Sequence, residues 1–451
     1  MLFAEIAVDT YQDPRKKLFT YQIPANLVIQ VVPGVQVTIP FGKRTAEGYV
    51  WQVSPKKPPF PTKPIQSVKK RIFSDKQVQL ARWMADYYLA SPLECLKCQL
   101  IGKGERASGT DPGKIRTLLL VPYASQVKIK ALSNRSALVG SRSAVFAQLP
   151  HLQKIIIEEP ESWNYKDERS PYYHAKDVAQ KRAELDGLEI ELKYQTPRVE
   201  DVKAGAKIPK VKPVQIVDLS REKSAGNFTF ISQPLEKILE LRRITLVYIV
   251  SKELQEEVAN NFRKIGADRN FYEIAGPEIF SIPGKSVQYA VWADANTILN
   301  LPDFRAHEKI VGTISKLNQI AQKRVLLQTS LPENPLFKEL ENGNLKSFYR
   351  RELRTRRELS FPPFCNLVRL TYTSKTRVKT NLEAEKLYER LTTNYPLPTT
   401  EVSPPYSPYA STPGKVQLHL AIKASQPDQL AKLLREIDPE WKVEVDPESL
   451  L

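Results

Sequence analysis

The sequence has few cysteines, and this excludes several kinds of fold. Its 451 residues contain only Cys95, Cys98 and Cys365. So small a number argues against a disulfide framework. Cys95 and Cys98 have the spacing of a zinc ligand pair, but no second pair follows and the pattern around them is helical. The sequence therefore predicts no disulfide-stabilised fold, no metal site and no cofactor.

Long apolar runs are also missing. Nowhere do about 18 uncharged apolar residues follow one another, which is the length that a membrane helix needs. The first residues, MLFAEIAVDTYQD, mix acids with apolar residues and do not resemble a signal peptide. These two absences predict a soluble, cytoplasmic protein.

Positive charge is abundant. Lysine and arginine number 67 against 50 acidic residues, which gives a formal net charge of +17. Such a balance favours a polyanionic partner, with nucleic acid as the first candidate and an anionic membrane surface as the second. A chain of this length is sufficient for three or four domains.

Residues 1–73 alternate apolar and polar side chains in short runs broken by proline and glycine, a pattern typical of a small antiparallel barrel or sheet. Aromatic residues, among them Phe19, Tyr21 and Phe41, are interleaved with Lys43 and Arg44. Rings and cations together suit base stacking and phosphate binding. The alternative interpretation is that these rings form the core of the sheet.

The remaining chain divides into four further parts. Residues 74–105 form a helical segment and linker, with Asp75 as the expected helix cap. Residues 106–212 and 213–330 alternate strands and helices, which predicts two small α/β lobes. Residues 331–451 begin with helices, including a long one over 347–364. They continue as strand, helix, strand, strand, helix and strand, which predicts a ferredoxin-like α+β domain.

The strand at Ile155–Ile157 ends in acidic residues, Glu158, Glu159 and Glu161. A buried strand with acids at its carboxyl end is the layout of a nucleotide hydrolase, where a carboxylate holds Mg²⁺. An ordinary buried strand followed by a polar loop would give the same pattern.

A phosphate-binding loop is imitated, but not reproduced, at Gly109–Ile115. It has three residues between its glycines instead of four, and Ile115 stands where Ser or Thr should reach Mg²⁺. A strand follows it, whereas a phosphate loop must open a helix. We therefore expect Gly113 and Lys114 to form a turn, and we predict no ATP-binding residue. Arg324, the one candidate for an arginine finger, is expected to belong to a strand.

Three segments carry a family resemblance: LFTYQIP with VVPGVQVTIPFGKR near the amino terminus, VGSRSAVFAQLPHL, and SPYYHAKDVAQKRA. They resemble the primosomal protein N′ (PriA) family of replication-restart helicases, in family order over nearly the whole chain. The resemblance implies an amino-terminal domain that binds DNA 3′ ends, degenerate RecA-like helicase lobes and a PriA-like carboxyl-terminal domain. It also implies replication restart as the biological role.

The resemblance also implies binding residues. Phe19, Tyr21, Gly34 and Lys63 fall on the family's 3′-end pocket, while Thr20 stands where the family has Asp. Ser141 and Arg142 fall on a turn that faces DNA phosphates. In the last domain an arginine-rich helix predicts phosphate contacts through Arg350, Arg351 and Arg354, together with Arg356 and Arg357. Tyr406 and Tyr409 are candidates for base stacking, or for an ordered surface loop.

The chain departs from the family where ATP is used. Glu158-Glu159-Pro160-Glu161 replaces Asp-Glu-Glu-His, and the zinc-binding insertion and winged helix are missing. We therefore expect a protein that recognises forked or single-stranded DNA without powering its unwinding. Two alternatives stay open: a divergent ATP-dependent 3′-5′ DNA helicase, and a scaffold for primosome assembly. Primosome proteins or a replicative helicase are the further partners that the resemblance suggests.

Overall fold

The computed structural model describes residues 1–8, 18–102, 104–106, 111–227, 229–394, 400–409, 413–425, 434, 437–438 and 440–451. Four β-sheets form among these residues, two of them antiparallel and two parallel. This confirms the mixed α/β character that the sequence predicts. Across the described residues, no helix has the length and apolarity required to cross a membrane.

The amino-terminal sheet is antiparallel and has the strand order β2-β1-β4-β3-β5. Its strands are β1 (Leu2–Val8), β2 (Leu18–Ile23), β3 (Val35–Phe41), β4 (Arg44–Ser54) and β5 (Ser67–Arg71). The segment that leads from β4 into β5 joins the edge strand β2 to β3, since the Ile65 amide donates to the Gln22 carbonyl and the Gln66 amide to the Thr38 carbonyl, each at 3.0 Å. The sheet therefore curls into a small barrel, with Ala4, Ile6 and Val8 among its core residues.

Two helices follow the barrel, α1 (Asp75–Tyr87) and α2 (Pro92–Lys97). Ser74, and not the predicted Asp75, caps α1, because the Ser74 hydroxyl accepts from the Gln77 amide while the Gln77 side chain accepts from the Ser74 amide. Asp75 instead pairs with Arg71 at 2.6 Å. Cys95 is buried in α2, and among the described residues no group of potential metal ligands gathers around it.

The first parallel sheet has the order β7-β6-β8-β9. Its elements are β6 (Thr117–Leu120), α3 (Ala124–Ser133), β7 (Ala137–Gly140), β8 (Lys154–Glu158), α4 (Ala175–Asp186) and β9 (Glu189–Lys193), followed by α5 (Val199–Lys203). β8 pairs directly with β9 along five residues, from Lys154 opposite Glu189 to Glu158 opposite Lys193. The acidic end of β8 therefore lies between β6 and β9, at the side of the sheet where the carboxyl ends of its parallel strands meet.

The second parallel sheet has the order β10-β14-β13-β11-β12. Its strands are β10 (Gln215–Asp218), β11 (Thr245–Tyr248), β12 (Tyr272–Ala275), β13 (Val287–Trp292) and β14 (Ala321–Thr329). The helices between them are α6 (Leu219–Ser224), α7 (Gln233–Glu240), α8 (Lys252–Lys264), α9 (Asn296–Leu299) and α10 (Ala306–Ile320). The apolar run of β11 is buried along its whole length, as a central parallel strand should be.

The carboxyl-terminal part begins with α11 (Pro335–Glu341) and α12 (Leu345–Glu358). α12 ends at Glu358 and not at the predicted residue 364, because Pro362 and Pro363 cannot continue a helix. The sheet that follows is antiparallel, in the order β16-β17-β15-β18. Its elements are β15 (Asn366–Ser374), α13 (Arg377–Glu389), β16 (Thr400–Val402), β17 (Val416–Ala424) and β18 (Lys442–Val445). The predicted second helix falls largely on residues 426–433, outside the described residues.

One cluster of buried side chains connects several of these parts. It includes Trp51 of the barrel, Met84 of α1, Ile157 of β8 and Val368 of β15. The barrel, the first parallel sheet and the carboxyl-terminal sheet therefore share a continuous apolar core.

Candidate nucleic-acid interface

Two aromatic rings lie together at one end of the barrel. Phe19 of β2 and Phe41 of β3 make an edge-to-face contact, with ring centroids 5.1 Å apart and planes at 89°. Both side chains are half-buried, and Gly42 and Lys43 in the turn after Phe41, with Arg44 at the start of β4, are exposed. Gly42 has the left-handed φ of +60° that this tight turn requires. We call these five residues the barrel end; their rings and cations suit a strand of nucleic acid.

Tyr21 is not part of this surface. Only 6% of the residue is exposed, and its hydroxyl donates to the Pro40 carbonyl at 3.0 Å. Burial raises the pKa of this hydroxyl. Strand alternation does place Phe19 and Tyr21 on one face, but that face is the barrel interior. The expectation of two presented rings is therefore corrected: Phe41, and not Tyr21, is the neighbour of Phe19.

Thr20 lies on the opposite face of β2. It stands directly across from Glu5 of β1, whose carboxylate accepts from the Gln52 side-chain amide at 2.6 Å. Because successive strand residues point to opposite faces, the side chains of Thr20 and Phe19 leave β2 on opposite faces, and the shared pocket stays a prediction. The structure thus separates two residues that the resemblance groups together.

Gly34 has a role in packing. Its φ is +87°, and a Cβ atom at this position would lie 2.0 Å from the Phe73 carbonyl oxygen. Its amide donates to the Val50 carbonyl at 2.8 Å, and its own carbonyl accepts from Ile72 and Phe73. Gly34 thus allows close approach of the backbone around Phe73, and its place in the pocket stays a prediction. Gly42 is the glycine at the barrel end.

Lys63 lies beside β2 with an exposed side chain. Its carbonyl accepts from the Gln22 amide at 3.0 Å, next to the edge of the sheet. The Lys63 ammonium group is thus available to a phosphate on the outer surface of the barrel. Of the predicted pocket residues, Phe19 and Thr20 are half-buried and Lys63 is exposed, whereas Tyr21 and Gly34 are buried.

Ser141 and Arg142 follow β7. The Arg142 guanidinium donates to the Lys166 carbonyl at 2.6 Å and pairs with Asp167 at 3.1 Å. These partners use the guanidinium to hold the loop at 164–167, and the phosphate contact of Arg142 stays a prediction. Ser141 lines an open cavity of about 420 Å³ at this end of the sheet.

The acids after β8 already have partners. Glu158 pairs with Lys130 of α3 at 2.8 Å, and Glu159 pairs with Lys316 of α10 at 3.0 Å. The second pair joins the two parallel sheets. Both carboxylates therefore have their charge balanced by lysine side chains of this chain.

Glu161 is a buried carboxyl group two residues further on. It accepts from the Gln195 and Thr196 amides, each at 2.8 Å. Burial raises its pKa to about 7, and the backbone hydrogen bonds offset part of that effect. This carboxyl fixes the loop after β9 from within.

The loop that imitates a phosphate site is a turn, as predicted. Pro112–Lys114 form one turn of 3-10 helix, the Gly113 amide donates to Asp111 at 2.9 Å, and β6 follows. Residues 107–110 lie outside the described residues. Arg324 belongs to β14, as expected, and donates to the Gln215 side chain at 2.9 Å.

The arginines of α12 fall into two groups. Arg351 binds both carboxylate oxygens of Glu339, at 3.2 and 2.8 Å, and Arg356 is only 1% exposed. Arg350, Arg354 and Arg357 point to solvent. The Arg351 guanidinium is held by this bidentate ion pair, and its contact with DNA stays a prediction.

A buried network joins α12 to both parallel sheets. Glu200 of α5 accepts from Arg305 at 2.6 and 3.2 Å and pairs with Arg356 at 3.3 Å. Arg356 also pairs with Glu308 of α10. Burial opposes the ionisation of Glu200, but Arg305 and Arg356 outweigh it and hold its pKa at about 2. We call these four residues the junction network. No simple sequence signal identifies it, because its members come from three separate segments.

Comparisons with known proteins agree on one family. A family model described as the 3′DNA-binding domain (3′BD) of PriA matches residues 5–100. Replication restart protein PriA of Bacillus subtilis is 24% identical over 424 residues, covering 69% of this chain and 52% of that protein. The chain thus spans about half the length of this relative.

Other relatives match shorter segments. PriA of Treponema pallidum is 28% identical and covers 35% of this chain and 26% of that protein. PriA of Synechocystis is 32% identical and covers 24% of this chain and 15% of that protein. Among solved structures, Saccharomyces cerevisiae Dbp5 bound to RNA and ADP BeF3 has a TM-score of 0.35 and 9% identity, covering 60% of this chain and 86% of that chain. By this domain match and the shared name of these relatives, the chain is similar to replication restart proteins PriA.

Proposed function

We propose that the protein binds forked or single-stranded DNA in replication restart, and that the barrel end receives a single strand. The observation that carries this proposal is the match of residues 5–100 to a 3′DNA-binding domain. It is supported by the geometry of the barrel end, where Phe19 and Phe41 contact each other beside the exposed Lys43 and Arg44. Rings supply stacking and cations neutralise phosphates.

We also propose the domain organisation on which this function rests. Residues 1–73 form the DNA-binding barrel and residues 74–105 the helical segment. Residues 106–212 and 213–330 form two degenerate helicase lobes, in keeping with the two parallel sheets. Residues 331–451 form the PriA-like carboxyl-terminal domain. Its strand order, β16-β17-β15-β18, supports a ferredoxin-like arrangement.

The protein is proposed to act without ATP-driven unwinding of its own. In the described part of the chain, none of the four strands of the first parallel sheet leads into a phosphate loop followed by a helix. Glu158 and Glu159 form ion pairs with Lys130 and Lys316, respectively. A Mg²⁺ ion at this edge would have to compete with both lysines. A separate motor, such as a replicative helicase, or other primosome proteins would then supply the unwinding.

The test is equilibrium binding of labelled forked, duplex and single-stranded oligonucleotides, with and without ATP. We expect single-stranded binding that is unchanged by ATP and weakened about 10-fold or more by the double substitution Phe19→Ala/Phe41→Ala. Trp163→Ala removes an exposed ring of the first parallel lobe and serves as the matched control.

Three outcomes separate this proposal from its alternatives. Binding that needs ATP, or unwinding in its presence, would favour a divergent helicase. No binding to any of the oligonucleotides would favour a primosome scaffold. Equal binding by the double variant and the wild type would show that the barrel end is not the site.

A further inference from the structure

The exposed face of α12 carries a regular row of cations. Lys346, Arg350, Arg354 and Arg357 follow one another at spacings of four, four and three residues, which places them on one side of a helix. All four are exposed. The row extends over about 16 Å along the helix axis. We call these four residues the exposed stripe.

The charge of the stripe is available to a partner, unlike that of its neighbours on the same helix. Arg351 and Arg356 are held by carboxylates. Within the stripe, Arg354 only approaches Glu358, at 4.0 Å. No carboxylate of a described residue forms an ion pair with Lys346 or Arg350. The helix therefore separates cations held in buried ion pairs on one side from exposed cations on the other.

The rings next to the stripe are covered. Phe364 has Lys203 at 4.3 Å and Arg357 at 4.9 Å from its ring centroid. Phe361 stacks on Phe304, with centroids 4.9 Å apart and planes at 3°, and Lys423 lies 4.1 Å from its ring. A single strand is held by free aromatic faces as well as cations. Since these neighbouring rings already carry cations or another ring, the stripe suits a phosphate backbone whose bases are paired.

The length of the exposed stripe also fits the phosphate backbone of a DNA duplex. Each strand of a DNA duplex presents one phosphate for every ~3.4 Å along its axis. The stripe, at about 16 Å, is therefore as long as about five phosphate steps. Long, flexible lysine and arginine side chains on a convex helix can follow such a track without reading base sequence.

We propose that the exposed stripe binds the phosphate backbone of a duplex arm of the DNA, while the barrel end takes the single strand. This inference rests on the proposed function, since it presupposes a forked DNA ligand. It assigns the duplex contact to Lys346, Arg350, Arg354 and Arg357, and it leaves Arg351 and Arg356 as structural residues.

The test is the triple variant Lys346→Gln/Arg350→Gln/Arg354→Gln, which leaves the Arg357 contact with Phe364 in place. Binding of a blunt duplex should weaken about 10-fold or more at about 100 mM salt. The dependence of log K on log salt should become shallower by about 2 to 3, because each phosphate contact contributes about 0.9. Binding of a single-stranded oligonucleotide should stay within about twofold of the wild type.

A matched control removes the same charge elsewhere. Lys237→Gln/Lys252→Gln/Lys264→Gln changes three exposed lysines of α7 and α8. α8 packs beside β12, at one edge of the second parallel sheet. α11, the helix that precedes α12 in the chain, contacts β10 at the other edge. This control should keep both the duplex affinity and the salt slope. A charge-retaining variant, Arg350→Lys/Arg354→Lys, should do the same.

Several results would overturn the inference. The first is a stripe variant whose duplex affinity and salt dependence equal those of the wild type. The second is an equal loss of duplex affinity in the α7 and α8 control variant. The third is a stripe variant that loses duplex and single-strand affinity equally. A wild type that binds single strands but no duplex would also refute the stripe assignment while leaving the proposed function intact. A wild type that binds neither DNA would refute both. Thermal unfolding of each variant within about 0.5 kcal/mol of the wild type shows that surface substitution has not altered the fold.

Discussion

Lys316 of α10 and Glu159 at the end of β8 form an ion pair of 3.0 Å that connects the two parallel sheets. Glu159 raises the pKa of Lys316 although burial opposes this, so the ammonium form is favoured where the two sheets meet. This pair lies in the region where the sequence predicts the remains of a nucleotide site. It links that region to the second lobe through side chains of the protein itself.

The first prediction concerns this link. Lys316→Gln leaves Glu159 without its partner and should lower the free energy of unfolding by about 1–3 kcal/mol. A double-mutant cycle with Glu159→Gln should give a coupling energy of about 0.5–3 kcal/mol, measured by urea unfolding. Additive effects of the two single substitutions would show that the pair contributes no net stability.

The second prediction concerns ATP. We expect the purified protein to show no ATP hydrolysis above background with single-stranded or forked DNA, because the described residues include no phosphate loop followed by a helix. Lys114→Ala, in the turn before β6, should leave this background unchanged. Turnover that DNA stimulates and that Lys114→Ala abolishes would contradict the expectation.

The third prediction concerns the barrel end. Phe41→Ala should weaken single-strand binding by about 1–3 kcal/mol, since it removes one ring and the support of another. Tyr21→Phe is the matched change, because it keeps the buried ring and removes only the hydrogen bond to Pro40. It should lower stability by about 1 kcal/mol and leave affinity unchanged. Loss of affinity with Tyr21→Phe and none with Phe41→Ala would reverse the assignment.

The fourth prediction is a pH dependence at Glu161. Its pKa is raised to about 7 in the folded protein, so the folded state binds more protons than the unfolded state between about pH 4.5 and 7. The contribution of this group to stability is therefore fully present below about pH 4.5 and is lost as pH rises to 7. Glu161→Gln should remove this loss, which amounts to roughly 3 kcal/mol at most. The measurement is urea unfolding of both proteins at pH 5 and pH 8; an equal stability difference at the two pH values would refute it.

The fifth prediction has the opposite sign. Glu200 has its pKa held at about 2, so its contribution is present above about pH 4.5 and is lost as pH falls toward 2. Glu200→Gln should lower the free energy of unfolding at pH 7 by about 2–4 kcal/mol, because Arg305 and Arg356 lose a shared partner. Glu401→Gln, at an exposed carboxylate 3.4 Å from Lys423, is the control and should change stability by less than about 1 kcal/mol.

Some features of this structure are determined by a local pattern of residues. The turn at Gly113–Lys114 followed from its spacing and from the strand after it, and the assignment of Arg324 to β14 followed from an apolar run. The resemblance to PriA was recognised from segments that keep their order along the chain. In each case the deciding information lies within a few neighbouring residues.

Site residues were harder to predict because their accessibility depends on distant partners. Alternation along β2 gives the same pattern for Phe19 and Tyr21, and only closure of the barrel buries one ring and leaves the other beside Phe41. Arg350 and Arg351 are adjacent in the sequence, yet Glu339 on the preceding helix binds one of them. Such differences depend on tertiary packing, which local periodicity does not contain.

The direct pairing of β8 with β9 has a consequence for any attempt to restore ATPase activity to this protein. A phosphate-binding loop requires a strand before it and a helix after it. Inserting such a strand beside β8 would separate either the five residue pairs shared with β9 or the four shared with β6. Restoring aspartate and histidine after β8 would therefore not by itself supply a site for the triphosphate. Gain of ATPase activity would also need a phosphate-binding loop with its own strand and helix, and the open positions for such a strand are the edges of the sheet beside β7 and β9.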